Sequence, residues 1–118
     1  MTDYTIFHNP RCSKSRQTLA LLEENGIEPQ VIKYLEDTPD AATLKTLIGK
    51  LGLDKAHDLV RNKEADYKAA GLTPQSQDDD VIAAMIAYPK LIERPIVVKG
   101  DRAVLGRPPE NVLALLGK

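Results

Sequence analysis

The N-terminal third of the chain pairs a strand pattern with a helix pattern, and this limits the fold more than any other feature. "YTIF" at 4–7 is a β-branched and aromatic run followed by Asn9-Pro10, which is typical of a short strand and a turn. Residues 13–25, "SKSRQTLALLEEN", are rich in helix formers, and Gly26 is suited to end a helix. Residues 29–35, "PQVIKYL", predict a second strand, either with one covered face or fully buried. Such a unit predicts two parallel strands joined by a right-handed crossover.

The centre of the chain predicts helices. After Thr38-Pro39, the stretch "DAATLKTLIGKLG" places apolar residues at i, i+3, i+4 and i+7, the spacing of one helical face: Leu44, Leu47, Ile48 and Leu51. The stretch "QDDDVIAAMIAYP" begins with acids suited to a helix N-terminus and ends before Pro89. Its predicted apolar face consists of Val81, Ile82, Met85 and Ile86.

The C-terminal quarter returns to strands. "PIVV" and "AVLG" flank a short turn with glycine at 99–102, which predicts a β-hairpin, and "PPENVLALLG" predicts a terminal helix between prolines and glycine. The order βαβ, helices, ββα predicts an α/β fold with a thioredoxin-like mixed sheet. We therefore predict one domain over 1–118, with an inserted helical subdomain at about 38–90.

Composition excludes some functions and leaves others open. A chain of 118 residues with 42% hydrophobic residues and a net charge of -1 is suited to one globular core. Its near-neutral balance argues against a nucleic-acid or membrane-surface partner. The first residues lack an apolar run of signal-peptide length, and no stretch approaches the length of a membrane span, so we expect a cytoplasmic protein.

Cys12 is the only cysteine, and it lies where the first strand pattern gives way to the first helix pattern. If Ser13 opens the helix, the thiol meets free backbone N–H groups and the positive end of the helix dipole. The nearby cations Arg11, Lys14 and Arg16 should also favour a thiolate. We expect its pKa to fall from about 8.5 into the range of roughly 3.5–7.5. The alternative, a buried and inert thiol, is disfavoured by three cations nearby.

Two motif comparisons narrow the chemistry of Cys12. A phosphatase-type phosphate loop has an arginine six residues after its cysteine, whereas position 18 is threonine. Ser15 stands where a Cys-x-x-Cys oxidoreductase has its second cysteine. A disulfide cycle would thus take its second sulfur from another molecule. The sequence has no Cys/His cluster with metal-ligand spacing, so we expect no metal.

Four stretches, "HNPRCSKSR", "LVRNKE", "ERPIVV" and "GRPPE", together resemble the glutaredoxin-dependent arsenate reductase family. The resemblance runs in order over nearly the whole chain. It implies a thioredoxin-like fold with a helical insertion, Cys12 as nucleophile, and an oxyanion cradle of Arg61, Arg94 and Arg107. It also implies reduction of arsenate with glutathione and glutaredoxin, with glutathione as a co-substrate and no bound cofactor.

Further residues acquire roles through the same resemblance. Arg94-Pro95 is similar to the position where thioredoxin-like proteins hold a cis-proline facing the active cysteine. His8 is similar to a family position thought to help lower the cysteine pKa; the alternative is a hydrogen-bonded histidine at a strand end. The supporting set is His8, Asn9, Ser15, Arg16 and Pro95.

Two alternative functions stay open. One is a glutaredoxin-like thiol oxidoreductase that acts on another substrate, although a neutral disulfide needs no cradle of three arginines. The other is a non-enzymatic transcription regulator of thioredoxin-like fold that binds RNA polymerase. That class uses a Cys-x-x-Cys switch, and the second cysteine is absent here.

Overall fold

The computed structural model describes residues 3–117. Four short strands form one sheet in the order β2-β1-β3-β4. β1 pairs with β2 in parallel and with β3 antiparallel, and β3 pairs antiparallel with β4. The strands are β1 Tyr4–Phe7, β2 Gln30–Ile32, β3 Ile96–Lys99 and β4 Arg102–Leu105. The mixed, thioredoxin-like sheet predicted from the sequence is confirmed.

Helix α1, Ser13–Glu24, joins β1 to β2 as predicted. β2 is shorter than the predicted run 29–35, and it lies at the edge of the sheet. Val31 in this strand is 41% exposed, so the fully buried alternative is wrong. An edge strand has only one neighbouring strand to cover it, and the buried Tyr34 belongs to the turn that follows.

The chain divides into two compact units, one of Met1–Asp37 with Arg94–Lys118 and one of Thr38–Glu93. In the first unit, a cluster of fully buried side chains lies between the sheet, α1 and the C-terminal helix: Ile6, Leu22, Val97, Val112 and Leu115. Each such side chain contributes roughly 1.5–3 kcal/mol to stability. This core holds α1 against the sheet.

The second unit is helical and overlaps the segment 38–90 predicted as an insertion; that the chain folds as one domain stays a prediction. Asp40 caps the first helix by accepting a hydrogen bond of 2.8 Å from the Thr43 N–H. The α-helices of this unit are α2 Ala41–Leu51, α3 Ala65–Ala69 and α4 Asp78–Ala87, and its 3₁₀ helices are Ala56–Leu59 and Pro89–Leu91.

The predicted apolar face of α2 is confirmed at its centre, where Leu44 and Leu47 are buried. The predicted face of α4 is wrong at one position, because Ile86 is 38% exposed. The buried face of α4 is centred on Val81, Ala84 and Met85, which follow the i, i+3, i+4 spacing. Ile86 lies toward the edge of this face and is partly exposed to solvent.

The predicted hairpin is present, with a turn shorter than the stretch 99–102. Lys99 and Arg102 belong to the strands and pair with each other, so the turn is Gly100-Asp101 alone. Gly100 has φ +60, which a glycine adopts without strain at the first position of such a turn. The predicted terminal helix is a 3₁₀ helix, Pro109–Leu116. Over residues 3–117, no helix combines the length and apolar character needed to cross a membrane.

Candidate active site

Cys12 is the N-cap residue of α1, with extended backbone angles of φ -95 and ψ 122. The Cys12 N–H donates to the Asn9 carbonyl at 3.0 Å, and the Asn9 side-chain oxygen accepts from the Arg11 N–H at 3.0 Å. The Cys12 carbonyl in turn accepts from the Arg16 N–H at 3.0 Å, the first bond of the helix. The predicted position of the thiol at the start of the helix is confirmed.

The pKa of the Cys12 thiol is lowered from its ordinary value as the balance of opposed effects. Partial burial raises the pKa, while the Ser15 amide, the Arg94 guanidinium and the Lys14 amide lower it. Within the described residues the sulfur makes no full capping hydrogen bond to the helix. The two amides thus act on it as partial positive charges, together with the full charge of Arg94.

The cations expected from the local sequence are not the ones that stabilise the thiolate. Arg11, Lys14 and Arg16 are exposed, and one Nη atom of Arg16 donates to the Pro10 carbonyl at 2.9 Å. Lys14 lowers the Cys12 pKa through its backbone N–H. The charged side chains of the first helical turn, Lys14 and Arg16, are exposed to water. The positive charge that lowers the Cys12 pKa therefore comes from Arg94, which is distant in the sequence.

Arg94 and Arg107 lie at the open end of the hairpin, one before β3 and one after β4. Arg107 Nη1 approaches Cys12 Sγ at 3.9 Å and donates to the Arg94 carbonyl at 3.3 Å. The Arg94–Pro95 peptide bond is cis, as the resemblance implies, and the Arg107–Pro108 bond is also cis. The structure therefore brings Cys12, Arg94 and Arg107 together within one compact unit.

His8, Asn9 and Ser15 form a hydrogen-bonded group behind the thiol. His8 Nδ1 lies 2.6 Å from Ser15 Oγ, which also accepts from the Asn9 N–H at 3.0 Å. Burial lowers the pKa of His8, and the charges of Lys33 and Arg16 lower it further. A neutral imidazole brings no positive charge to Cys12. The geometry favours an indirect role for His8, orienting Ser15, whose amide faces the sulfur.

Arg61 belongs to the other compact unit, Thr38–Glu93. Its guanidinium lies 3.9 Å from a Glu64 carboxylate oxygen and 3.7 Å from a Glu93 carboxylate oxygen. Its backbone N–H donates to the Leu91 carbonyl at 2.8 Å. These contacts hold Arg61 within its own unit, and its role in an oxyanion cradle stays a prediction.

Three residues around the arginines were not singled out from the sequence. Thr18 is fully buried and contacts the Gly106 carbonyl, and the Asn111 side chain donates to the Leu105 and Arg107 carbonyls at 3.0 and 3.2 Å. Gly106 is recognisable in the sequence as a glycine before "RPPE", but its close contacts are with Thr18 and Pro95, which are distant in the chain.

The arrangement is suited to a nucleophilic thiolate that attacks the central atom of an oxyanion. Guanidinium groups bind anionic oxygens with charge-assisted hydrogen bonds, and a helix N-terminus also favours negative charge. Among residues 3–117, no three His, Cys, Asp or Glu side chains are grouped as metal ligands.

Comparison with known proteins gives consistent results. The model of the ArsC family matches residues 7–115. The Escherichia coli K12 protein YfgD is 54% identical over 113 residues, which is 95% of each chain. An arsenate reductase of Neisseria meningitidis is 49% identical over 98% of this chain and 100% of its own. A solved structure named as arsenate reductase from Vibrio cholerae has a TM-score of 0.91 at 55% identity, and it covers 94% of this chain and 95% of that chain.

Proposed function

Because the chain belongs to the ArsC family, we propose that it reduces arsenate to arsenite through a covalent adduct on Cys12. The observation that carries the proposal is the contact of Arg107 with the Cys12 sulfur, beside an arginine that lowers the thiol pKa. Related proteins named arsenate reductase match nearly the full chain. A nucleophile and two guanidinium groups are the parts that such a reaction needs.

The substrate's charge explains why arginines accompany the thiol. Arsenate is a tetrahedral oxyanion with one to two negative charges at neutral pH, so a thiolate alone would repel it. Arg94 and Arg107 offset that repulsion, and guanidinium forks direct hydrogen bonds to its oxygens. The family resemblance adds Arg61 as a third cationic group.

The chemistry begins when the Cys12 thiolate attacks arsenic(V). An S–As bond forms, an As–O bond breaks, and the oxygen leaves as water or hydroxide. Glutathione then attacks arsenic, a second S–As bond forms, and a second As–O bond breaks with its oxygen leaving as water, which gives a species that carries both sulfurs. When the two sulfurs join as a disulfide, two electrons pass to arsenic, which leaves as arsenite.

The chain owns one thiol, whereas the reduction consumes two. We propose that glutathione supplies the second thiol and that glutaredoxin reduces the resulting disulfide, restoring Cys12. This cycle needs a compartment in which thiols stay reduced, which favours the cytoplasm.

The test is NADPH consumption by the purified protein with glutathione, glutathione reductase and glutaredoxin, with and without arsenate. Turnover that requires both arsenate and Cys12 is expected, and Cys12→Ser is the matched control. A second assay replaces arsenate with a glutathione mixed disulfide. Turnover on the disulfide alone would contradict the proposal and favour a glutaredoxin-like function.

A further inference from the structure

Thr18 links helix α1 to the end of the hairpin. Its side chain is fully buried, and Oγ1 lies 2.7 Å from the Lys14 carbonyl oxygen and 3.2 Å from the Gly106 carbonyl oxygen. The first contact is the usual bond of a helical threonine to the carbonyl four residues earlier. The second leaves the helix and reaches the residue before Arg107.

Gly106 lies so close to α1 that it has no room for a side chain. A Cβ atom at this position would lie 2.5 Å from Thr18 Oγ1, 2.8 Å from Pro95 Cγ and 2.9 Å from Thr18 Cγ2. The φ angle of Gly106 lies outside the left-handed region, so its backbone conformation does not require glycine. Glycine is needed here because the backbone lies so close to Thr18 and Pro95.

The backbone around Gly106 is bonded to the segments that carry both arginines of the site. The Gly106 N–H donates to the Pro95 carbonyl at 2.9 Å. Gly106 directly precedes Arg107, and Pro95 directly follows Arg94. A continuous set of contacts thus runs from the first turns of α1, where Cys12 is the N-cap, to the backbone that carries each guanidinium.

We propose that Thr18 is a positioning residue that, with the bare backbone of Gly106, sets the distance from Arg94 and Arg107 to the Cys12 sulfur. This inference rests on the proposed function, because it assigns Thr18 to the site that would bind arsenate. Cys12 lies near the start of the chain and the arginines near its end. Thr18 links the two, because it belongs to α1 and its hydroxyl contacts the backbone of Gly106 beside Arg107. Its hydroxyl bonds to the Gly106 carbonyl beside Arg107 and to the Lys14 carbonyl, which shares a peptide group with the Ser15 N–H that faces the sulfur. Gly106→Ala leaves the Lys14 bond in place and therefore isolates the effect that passes through the arginines.

The main test is Thr18→Val, which keeps the shape of the side chain and removes the hydroxyl. The Gly106 carbonyl loses this contact, and the hairpin end can move away from α1. We expect the Cys12 pKa to rise, measured by thiolate absorbance or by alkylation rate against pH. We also expect kcat/KM for arsenate to fall by about 10- to 100-fold, as small misplacements of binding groups do.

Two control variants separate positioning from general stability. Thr18→Ser keeps the hydroxyl and should retain the wild-type Cys12 pKa. Thr46→Val removes a matched bond, because Thr46 Oγ1 donates to the Ala42 carbonyl at 3.0 Å on an exposed face of α2. It should leave the Cys12 pKa and arsenate kinetics unchanged.

Gly106→Ala tests the same contact from the other side and serves if Thr18→Val fails to fold. It should raise the Cys12 pKa, and adding Thr18→Ala should partly restore it, because that change removes two of the three crowded atoms. Unchanged pKa in folded Thr18→Val and Gly106→Ala, or equal effects of Thr18→Ser and Thr18→Val, would overturn the inference. The pKa readout needs no arsenate, so it decides the matter even if wild-type protein does not reduce arsenate.

Discussion

The starts of α1 and α2 use the same physical principle for different purposes. At α2, the Asp40 carboxylate accepts a bond from the Thr43 N–H, and bonds from Thr43 lower the Asp40 pKa. At α1, the cap is Cys12, whose sulfur faces the amides of the first turn without a full capping bond. Asp40 stabilises its helix, whereas Cys12 remains available to react. A helix start can therefore serve stability or chemistry, and the cap residue decides which.

Cys12→Ser is expected to have the largest effect and to sharpen this contrast. Turnover should fall by a factor on the order of 10³ or more, as when a nucleophile is removed. Serine is a preferred N-cap, so the melting temperature should stay equal or rise. Coupled NADPH assays and thermal melts measure both. A variant that keeps its turnover would exclude Cys12 as the nucleophile.

Arg94→Ala should have the next largest effect, because it removes a charge that lowers the Cys12 pKa. The thiolate is the reactive form, so activity rises with pH through this pKa, and the variant's profile should move to higher pH. At neutral pH we expect roughly 100-fold lower kcat/KM. Arg94→Lys keeps the charge but not the fork and should shift the profile less. An unshifted profile in Arg94→Ala would mean that Arg94 does not activate the thiol.

Arg107→Ala tests whether the start of α1 needs a second cation to hold an anion. Loss of the guanidinium 3.9 Å from the sulfur should raise the KM for arsenate by about 10-fold. Arg61→Ala is the comparison variant. Because Glu64 and Glu93 partly neutralise the charge of Arg61, the KM of Arg61→Ala for arsenate should rise less than that of Arg107→Ala. A larger rise for Arg61→Ala, in steady-state assays, would reverse this ranking.

Asp40→Ala should have the smallest effect and should leave arsenate turnover unchanged. Removing the cap should lower the melting temperature by a few degrees at pH 7. The Asp40 pKa is lowered in the folded state, so its contribution is present above the unfolded pKa of about 3.9 and is lost as the pH falls through the folded pKa. The difference between variant and wild type should therefore shrink below about pH 4. A constant difference across pH would assign the effect to packing.

Local patterns predicted the strands, the helices and the position of Cys12 at a helix start, because each of these depends on residues close together in the chain. The partners of Cys12 were harder to predict. Three cations lie close to Cys12 in the sequence: Arg11, Lys14 and Arg16. Their side chains are exposed, so their charges are solvated by water. The predicted role of Arg107 came from the family resemblance alone, and for Arg94 the sequence added only its position before Pro95 and a strand.

Other features depend on packing between distant segments and could not be predicted from the sequence. Nothing in the residues next to Thr18 predicts its contact with the Gly106 carbonyl, because this contact depends on how α1 packs against the hairpin. Ile86 has the apolar character of a core residue, yet it lies outside the buried face, which includes Ala84. Burial of β2 depended on its place in the strand order, which its own residues do not specify.

The two-residue turn of the hairpin has a consequence for how relatives of this chain can vary. Ile96 pairs with Leu105, and the Gly106 N–H bond to Pro95 continues that register toward the two arginines. This register places Arg94 and Arg107 opposite each other at the open end of the hairpin, and the length of the turn helps to set the register. A single residue inserted at Gly100-Asp101, far from the sulfur, would move one guanidinium out of step with the other. Insertions that surface turns usually tolerate should be selected against here.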